Sequence, residues 1–218
     1  MLRAIVYSLE PLTPDNREAV HEGIEMVAEH IGQTVSCQEL LVRLPMTDRG
    51  TVNPDRVGRG KLDKMVELHL MAVPLDRGAG ERAGLAEIGA GWAFVDIREQ
   101  CKDAVRTTSA HETSHALGFV SRDAAHTDPN SRYHYRDNDC IMSKSSTVLV
   151  TYPAFAPATL GEIMSSRLLR RQPKVKGPSR QLLGHHDFCP DCKVDMRANG
   201  ENKLAELRHS RIFTRKGV

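Results

Sequence analysis

Two histidines and one glutamate stand at a spacing that suits metal-assisted hydrolysis. His111 and His115 are four positions apart, so on a helix their imidazoles lie on one face, one turn apart, and can bind the same ion. Glu112 lies beside the first histidine, within reach of a water molecule on that ion but offset from coordination. In this H-E-x-x-H pattern one rigid element supplies two zinc ligands and a general base. The pattern predicts a catalytic zinc site with Glu112 as the catalytic residue.

The third ligand of this site is not fixed by the same motif. Gly118 follows His115 by three positions, and a glycine there can adopt a left-handed conformation that ends the helix and turns the chain back toward the ion. Metzincin-type sites use this turn because their third ligand lies just beyond it. In the usual pattern that ligand comes three residues after the glycine, where this chain has Ser121, a poor zinc ligand. The downstream candidates are Asp123, His126, His134 and, farther along, Glu162.

Two later segments resemble the archaemetzincin family of zinc peptidases. "HYRDNDCIM" (134–142) is similar to the segment in which that family carries its third zinc-binding histidine, two cysteines and a methionine. "FCPDC" (188–192) is similar to the Phe-Cys-x-x-Cys that closes the family motif. The resemblance covers about residues 111–192. It implies that His134 is the third ligand of the catalytic zinc and that Met142 forms the Met-turn below it. His126, eleven residues after His115, is the alternative third ligand.

The chain departs from the family pattern at three places. His134 follows Gly118 by 16 positions instead of three, so the metal-binding loop carries an insertion. Such an insertion costs little, because each doubling of loop length adds only ~0.6 kcal/mol of closure entropy. Tyr135 stands where the family has its first structural cysteine, and 46 residues separate Met142 from Cys189, more than the family spacing. Whether the loop 119–133 is a lid is left open.

A second metal site is predicted from the cysteines. Cys189 and Cys192 form a C-x-x-C pair, a spacing that suits tetrahedral zinc, and the resemblance adds Cys140 as a third thiolate. The position of the fourth ligand is open: His186 or His185 can replace the cysteine lost at position 135, or the site binds metal weakly. The predicted cofactors are therefore one catalytic and one structural zinc. The two remaining cysteines, Cys37 and Cys101, are predicted to be ordinary thiols.

The elements around these motifs predict an α/β (α+β) domain with a mixed sheet. Strands are predicted over residues 2–8, 34–44, 65–73 and 92–97. Helices are predicted from the Thr13 cap and Pro14 to Gly32, over 103–117, and over 159–171. The resemblance implies a metzincin-like zincin fold with a twisted mixed sheet, an active-site helix and a smaller C-terminal lobe that carries a zinc knuckle. Residues 92–97 are the predicted edge strand, which would align a peptide by strand addition.

The whole chain is predicted to form one catalytic domain, residues 1–218. Its upper lobe is predicted over 1–118 with the active-site helix. The lower lobe is predicted over 119–196 with the third ligand, the Met-turn and the cysteine knuckle. A basic tail is predicted over 197–218.

The composition predicts a globular protein and argues against a nucleic-acid-binding surface. The 218 residues are 40% hydrophobic, enough for a substantial core, and the net charge is +2. Residues 164–218 carry 13 Lys and Arg against 5 Asp and Glu. No aromatic residues interleave with these charges as a stacking platform for nucleic acid requires, so a solvated surface is favoured.

The sequence shows no recognisable targeting signal, which predicts a cytoplasmic location. No apolar run approaches the ~18 residues that span a membrane, and the N-terminus lacks the small-residue cleavage site of a signal peptide. The five cysteines are an odd number, which favours metal binding in a reducing compartment over a disulfide framework.

Together these features predict a zinc-dependent peptidase in which Glu112 activates a zinc-bound water to cleave peptide bonds. The resemblance implies peptide substrates and, more specifically, aminopeptidase action on short peptides. Two alternatives stay open. One is a zinc-binding module without turnover, and the other is a nucleic-acid-binding protein that uses the basic C-terminal segment. The oligomeric state is not predicted.

Overall fold

The computed structural model describes residues 1–57, 65–76, 83–98, 102–119, 140–143 and 187–213. It has five strands: β1 (Leu2–Ser8), β2 (Val35–Leu41), β3 (Leu68–Val73), β4 (Gly84–Glu87) and β5 (Trp92–Asp96). Its helices are α1 (Pro14–His30), α2 (Lys102–Leu117) and α3 (Pro190–Phe213), with a short 3-10 helix at Pro54–Arg56. The helix predicted over 159–171 lies outside the described residues, as does the predicted loop beyond Phe119. None of the described helices combines the length and apolar character needed to cross a bilayer.

The strands form one mixed sheet in the order β2-β1-β3-β5-β4. Strands β2, β1, β3 and β5 run parallel, whereas β4 pairs antiparallel with β5. The four parallel strands are those predicted from the sequence, with β2 and β3 beginning later than expected. The predicted α/β class with a mixed sheet is therefore confirmed.

The predicted edge strand was wrong. Residues 92–97 contain β5, which lies between β3 and β4, and every residue of β5 is buried. An apolar run buried on both faces is typical of an interior parallel strand. In the described part of the chain the edge on this side is β4, and no strand is predicted there from the sequence. Four residues beginning with a glycine give too short a pattern to identify a strand, and pairing with β5 is what defines it.

Helices α1 and α2 pack together over one face of the sheet. Thr13 caps α1 as predicted, because its hydroxyl accepts a hydrogen bond from the Asn16 N–H at 3.2 Å. The two helices meet closely at Gly23, where an added Cβ would lie 2.6 Å from the Arg106 carbonyl oxygen. The core between the helices and the sheet is built from small and branched apolar side chains such as Ile24 and Leu70. Helix α2 therefore packs against both the sheet and α1, and most of its residues are buried.

Helix α3 occupies most of the segment predicted as a basic tail. It runs to Phe213 and buries Met196, Leu204 and Leu207 in the main core. At Gly200 it approaches α1 so closely that an added Cβ would lie 2.7 Å from the Cβ of Ile31. The apolar residues are sparse along a polar sequence, so their role is visible only from what they pack against.

Candidate active site

The last turn of α2 is fixed by hydrogen bonds at its carbonyl end. Gly118 has φ +85°, and its N–H donates to the His115 carbonyl at 3.0 Å, while the Phe119 N–H donates to the Ser114 carbonyl at 3.0 Å. These two bonds form a Schellman motif, so the predicted helix end at Gly118 is confirmed. The His115 carbonyl also accepts from the Gly89 N–H at 2.9 Å. The turn between β4 and β5 therefore holds the backbone of one predicted ligand.

The two predicted histidine ligands converge in a buried site. Nε2 of His111 lies 3.0 Å from Nε2 of His115. The two residues are 1% and 6% exposed. Two imidazole nitrogens bound to one tetrahedral zinc at ~2.0–2.1 Å would be about 3.3 Å apart. The observed separation is close to that value, so the pair fits a zinc ion.

A backbone carbonyl orients His111. Its Nδ1 lies 2.7 Å from the Ile141 carbonyl oxygen, in a buried hydrogen bond. Because a carbonyl can only accept, the proton must be on Nδ1, and the Nε2 lone pair is left for a metal ion. Metal-binding histidines are commonly oriented in this way by a partner on the second nitrogen.

The carboxylate of Glu112 lies between α2 and the edge strand β4. The residue is 4% exposed, and a Cβ placed on Gly84 would be 2.7 Å from Oε1 of Glu112. The carboxylate therefore occupies the space that a side chain on β4 would fill. Glu112 is thus a buried carboxylic residue directly after the first histidine of the convergent pair, the position that the H-E-x-x-H pattern gives to a general base.

A tight turn at 140–143 carries the predicted Met-turn residue. The Ser143 N–H donates to the Cys140 carbonyl at 2.9 Å, and the Ile141 N–H donates to the Asp187 carbonyl at 3.1 Å. Met142 lies in this turn and is 1% exposed. The same turn presents the Ile141 carbonyl to His111, so it contacts the predicted metal site directly.

The three predicted cysteine ligands lie together. The sulfur atoms of Cys140, Cys189 and Cys192 are all within 4.8 Å of one another, and all three residues are buried. Sγ of Cys192 is 3.4 Å from Sγ of both Cys140 and Cys189. Thiolate sulfurs bound to one zinc at ~2.3 Å would be separated by a similar distance. Within the described part of the chain, this is the cluster whose donors fit a second metal ion.

The pKa values of the clustered cysteines also favour binding of a cation. Hydrogen bonds from Cys192 and from the backbone N–H groups of Cys189 and Met142 lower the pKa of the Cys140 thiol to about 6. The hydrogen bond to Cys140, together with burial, raises the pKa of Cys192. Without a cation the cluster therefore favours one thiolate, and a bound divalent ion would allow all three to ionise. By contrast, burial raises the pKa of Cys37 to about 11, so this thiol stays protonated at neutral pH.

The remaining predicted ligands fall outside the described residues. They are the third-ligand candidates and the fourth-ligand candidates of the cysteine site: Asp123, His126, His134, Glu162, His185 and His186. Cys101, Ser121 and Tyr135 also lie outside. The assignments of His134 and His186 therefore stay predictions.

Two contributors to the site were missed from the sequence. The Ile141 carbonyl is a backbone group, which has no signature in a sequence. Gly84 is one of several glycines in a glycine-rich stretch, and only the packing of β4 on α2 distinguishes it from the others. A search for a glycine on the edge strand opposite the glutamate could have found it once β4 was known.

No family model matches the sequence, and no curated protein matches it at a significant level. Solved structures do. An archaemetzincin from Methanopyrus kandleri is similar with a TM-score of 0.56 and 19% identity, over 92% of this chain and 96% of that one. An archaemetzincin from Archaeoglobus fulgidus, solved with malonate, gives 0.50 and 14% over 89% and 99%. A zinc-dependent peptidase from Methanocorpusculum labreanum gives 0.49 and 16% over 89% and 100%. At these identities the likeness to the two archaemetzincins establishes the fold: the chain has the archaemetzincin fold.

Proposed function

We propose that this chain, which has the archaemetzincin fold, is a zinc-dependent peptidase. One observation carries the proposal: Nε2 of His111 and Nε2 of His115 converge at 3.0 Å in a buried site, and the buried residue Glu112 directly follows His111 on the same helix. A purely structural site has no use for a buried carboxylate next to its ligands. We assign residues 1–218 to one catalytic domain, with an upper lobe over 1–118 and a lower lobe over 119–196. Helix α3 begins in the segment assigned to the lower lobe and continues into the segment predicted as a tail.

Three residues of this chain would hold the catalytic zinc. His111 and His115 supply two nitrogens, and His134 is proposed as the third ligand, with His126 as the alternative. Zinc, when bound, supplies a Lewis acid that polarises the scissile carbonyl and lowers the pKa of water. The carboxylate of Glu112 accepts a proton from the attacking water and returns it to the leaving amine. The Ile141 carbonyl keeps His111 in the required tautomer throughout.

The substrate is proposed to be a short peptide that pairs with β4. In the described part of the chain β4 pairs with β5 on one side, so its other edge offers N–H and C=O groups to an extended peptide. The strand has four residues, which suits a short substrate. The Glu112 carboxylate lies against this strand, so a peptide bond placed there would be near the base. Aminopeptidase action and a cytoplasmic location are the more specific forms of the proposal.

A second, structural zinc is proposed at the cysteine cluster. Cys140, Cys189 and Cys192 would supply three thiolates. His186 is proposed as the fourth ligand, with His185 as the alternative, because His186 lies three residues before Cys189 and completes the spacing H-x-x-C-x-x-C. A Cys₃His set is an ordinary structural zinc site.

Metal removal and replacement test the proposed activity. The wild-type protein is stripped with a chelator, reloaded with zinc, and assayed on short peptides with free and with acetylated N-termini. We expect hydrolysis that depends on zinc and that fails on the acetylated peptides. Full zinc content without hydrolysis of any peptide would instead support the alternative of an inactive zinc-binding module.

The third ligand is tested by a pair of matched variants, His134→Ala and His126→Ala. We expect His134→Ala to lose the catalytic zinc, because two imidazoles alone bind it weakly, and His126→Ala to keep it. Zinc content per chain, measured by mass spectrometry of the metal, is the readout. Loss of zinc from His126→Ala with retention in His134→Ala would reverse the ligand assignment and leave the peptidase proposal standing.

A further inference from the structure

We infer that Gly84 is a positioning residue for the general base: the side chain missing from β4 leaves the space in which the Glu112 carboxylate is held. This inference rests on the proposed function, because it concerns the position of the proposed base. It goes beyond that function by assigning a role in the reaction to a residue without any functional group.

The contacts at Gly84 are made by one side chain. A Cβ added there would lie 2.5 Å from Cγ of Glu112, 2.7 Å from its Oε1 and 2.8 Å from its Cδ. Carbon atoms in van der Waals contact are ~3.5–4.0 Å apart, so each of these distances is a severe overlap. The three nearest atoms all belong to the proposed base.

The backbones on both sides of this contact are fixed. Strand β4 is held by its antiparallel pairing, in which Gly84 is opposite Val95, and by the hydrogen bond from the Asp96 N–H to the Ala83 carbonyl at 2.8 Å. Helix α2 is buried along most of its length, and hydrogen bonds from Gly89 and Gly118 hold its end. A methyl group at position 84 would therefore displace the Glu112 side chain, whose torsions are the softest degrees of freedom at the contact.

Other tightly packed glycines in this chain meet different kinds of atom. At Gly200 an added Cβ would be 2.7 Å from the Cβ of Ile31 and 3.2 Å from its Cα. Such atoms can move only with the backbone, so substitution at Gly200 strains the packing of α3 on α1. Gly200→Ala is therefore a matched control: the same added methyl group, a similar overlap, but no contact with the base.

The experiment compares Gly84→Ala and Gly200→Ala with the wild type in the zinc-loaded protein. For Gly84→Ala we expect kcat to fall about 100-fold, the cost of misplacing a catalytic group by about 1 Å. We expect KM to change less than about threefold, and zinc content and Tm to remain at the wild-type values. For Gly200→Ala we expect the opposite, a lowered Tm with kcat of the folded protein unchanged.

Shortening the base tests whether Gly84 acts through Glu112. Aspartate lacks one methylene group of glutamate, so its carboxylate is already withdrawn from the position that the proposed base needs. Glu112→Asp should lower kcat in the wild-type background. In the Gly84→Ala background the carboxylate is already misplaced, so the same substitution should lower kcat at least about tenfold less and the two changes should not be additive. A crystal structure of Gly84→Ala should show the Glu112 carboxylate displaced by about 1 Å or more, a readout independent of turnover.

The outcomes separate this inference from the function on which it rests. A wild-type protein that binds zinc and cleaves no peptide contradicts the proposed function, and the crystal structure of Gly84→Ala then still tests the contact. An active wild type with unchanged kcat in Gly84→Ala overturns the inference. Additive effects in the double variant, or a Gly84→Ala protein with lowered Tm and lost zinc, also overturn it, because they indicate a role in folding alone.

Discussion

His111, Glu112 and His115 are each held by a neighbour that has no reactive group. The Ile141 carbonyl accepts a hydrogen bond from His111, and the Gly89 N–H donates to the backbone of His115. The absent side chain of Gly84 leaves space for Glu112. The motif residues supply the chemistry, and backbone groups of three other segments supply the geometry. Substitutions at ordinary-looking positions should therefore affect the site as strongly as changes in the motif.

The glycine that ends α2 provides a prediction at this scale. In Gly118→Ala an alanine must adopt the backbone angle φ near +85° that Gly118 has. Its Cβ would lie 3.3 Å from the Cα of Gly89. We expect the free energy of unfolding to fall by about 2–3 kcal/mol, from left-handed strain and crowding together. Urea unfolding measures the change.

Gly32→Ala is the matched control for this substitution. Gly32 ends α1 with φ +68°, and a Cβ there has no heavy atom within 4 Å. It should cost only the left-handed strain, about 1–2 kcal/mol. If Gly118→Ala is no more destabilising than Gly32→Ala, the close approach of Gly89 contributes nothing.

At the scale of elements, the turn at 140–143 joins the two proposed metal sites. Cys140 belongs to the cysteine cluster, and the next residue, Ile141, orients His111. The sulfur of Cys140 also accepts hydrogen bonds from the N–H groups of Met142 and Cys189, at 3.4 and 3.3 Å. A metal ion bound by Cys140 would therefore fix the carbonyl that orients the first histidine ligand.

Cys140→Ser tests this connection. We expect it to remove the structural zinc and also to weaken zinc binding at the histidine site by about 10- to 100-fold, the usual effect of losing an outer hydrogen-bonding partner. Zinc titration with a competing chelator measures both. Cys37→Ser, which changes a cysteine outside the cluster, should keep both ions. An unchanged affinity at the histidine site in Cys140→Ser would show that the turn does not couple the two sites.

The sequence identified elements whose signals are local. Helix α1 has a Thr13 cap and a Gly32 end, and α2 carries the metal motif and ends at Gly118, so both helices and their ends were predicted correctly. Strand β4 and helix α3 were missed. Strand β4 is too short to show a pattern and is defined by pairing with β5, and α3 depends on a few buried residues, Leu204 and Leu207 among them. Contacts between distant parts of the chain decide both, and a sequence pattern does not contain them.

The candidate site divides in the same way. The spacing of His111, Glu112 and His115 and the C-x-x-C pair are local, so their chemistry could be predicted. The structure brings Cys140 to Cys189 and Cys192, which are 49 and 52 positions away in the sequence, and that contact was anticipated only through the family resemblance. The role of β4 as the strand beside Glu112 could not be predicted, because it depends on the order of strands in the sheet.

At the scale of the whole molecule, one buried carboxylate links the N-terminal strand, the start of β3 and the C-terminal helix. The side chain of Glu67 is 1% exposed and lies 2.7 Å from nitrogens of both Arg3 and Arg208. Burial alone raises the pKa of Glu67, but hydrogen bonds from Arg3 and Arg208 outweigh burial and lower that pKa from 4.5 to about 2. This ion pair network joins α3 to β1 and to the residue that precedes β3.

The lowered pKa predicts how stability depends on pH. A carboxyl group with a lower pKa in the folded state stabilises the protein above its unfolded pKa, and this contribution is lost as pH falls from about 4.5 to about 2. Glu67→Gln should lower the free energy of unfolding at pH 7 by about 2–3 kcal/mol, partly discounted because the arginines are half exposed. The difference from the wild type should shrink as the pH falls through that window.

Glu39→Gln is the control for the buried pair. Glu39 contacts Arg17 at 2.8 Å, but their side chains are 30% and 49% exposed, so its loss should cost less than about 1 kcal/mol. Urea unfolding of both variants from pH 7 to pH 3 measures the effect. A Glu67→Gln difference that does not change with pH would show that the network does not act through the charge on Glu67.

We propose that Glu112, buried on the same helix as the convergent His111 and His115, is the general base of a zinc peptidase. The most direct test is to measure zinc content and peptide hydrolysis on the same preparations of wild type and Glu112→Gln. We expect Glu112→Gln to bind as much zinc as the wild type and to lose at least about 100-fold in kcat, because the amide cannot accept the proton. Hydrolysis at the wild-type rate by zinc-loaded Glu112→Gln would rule out this role of Glu112.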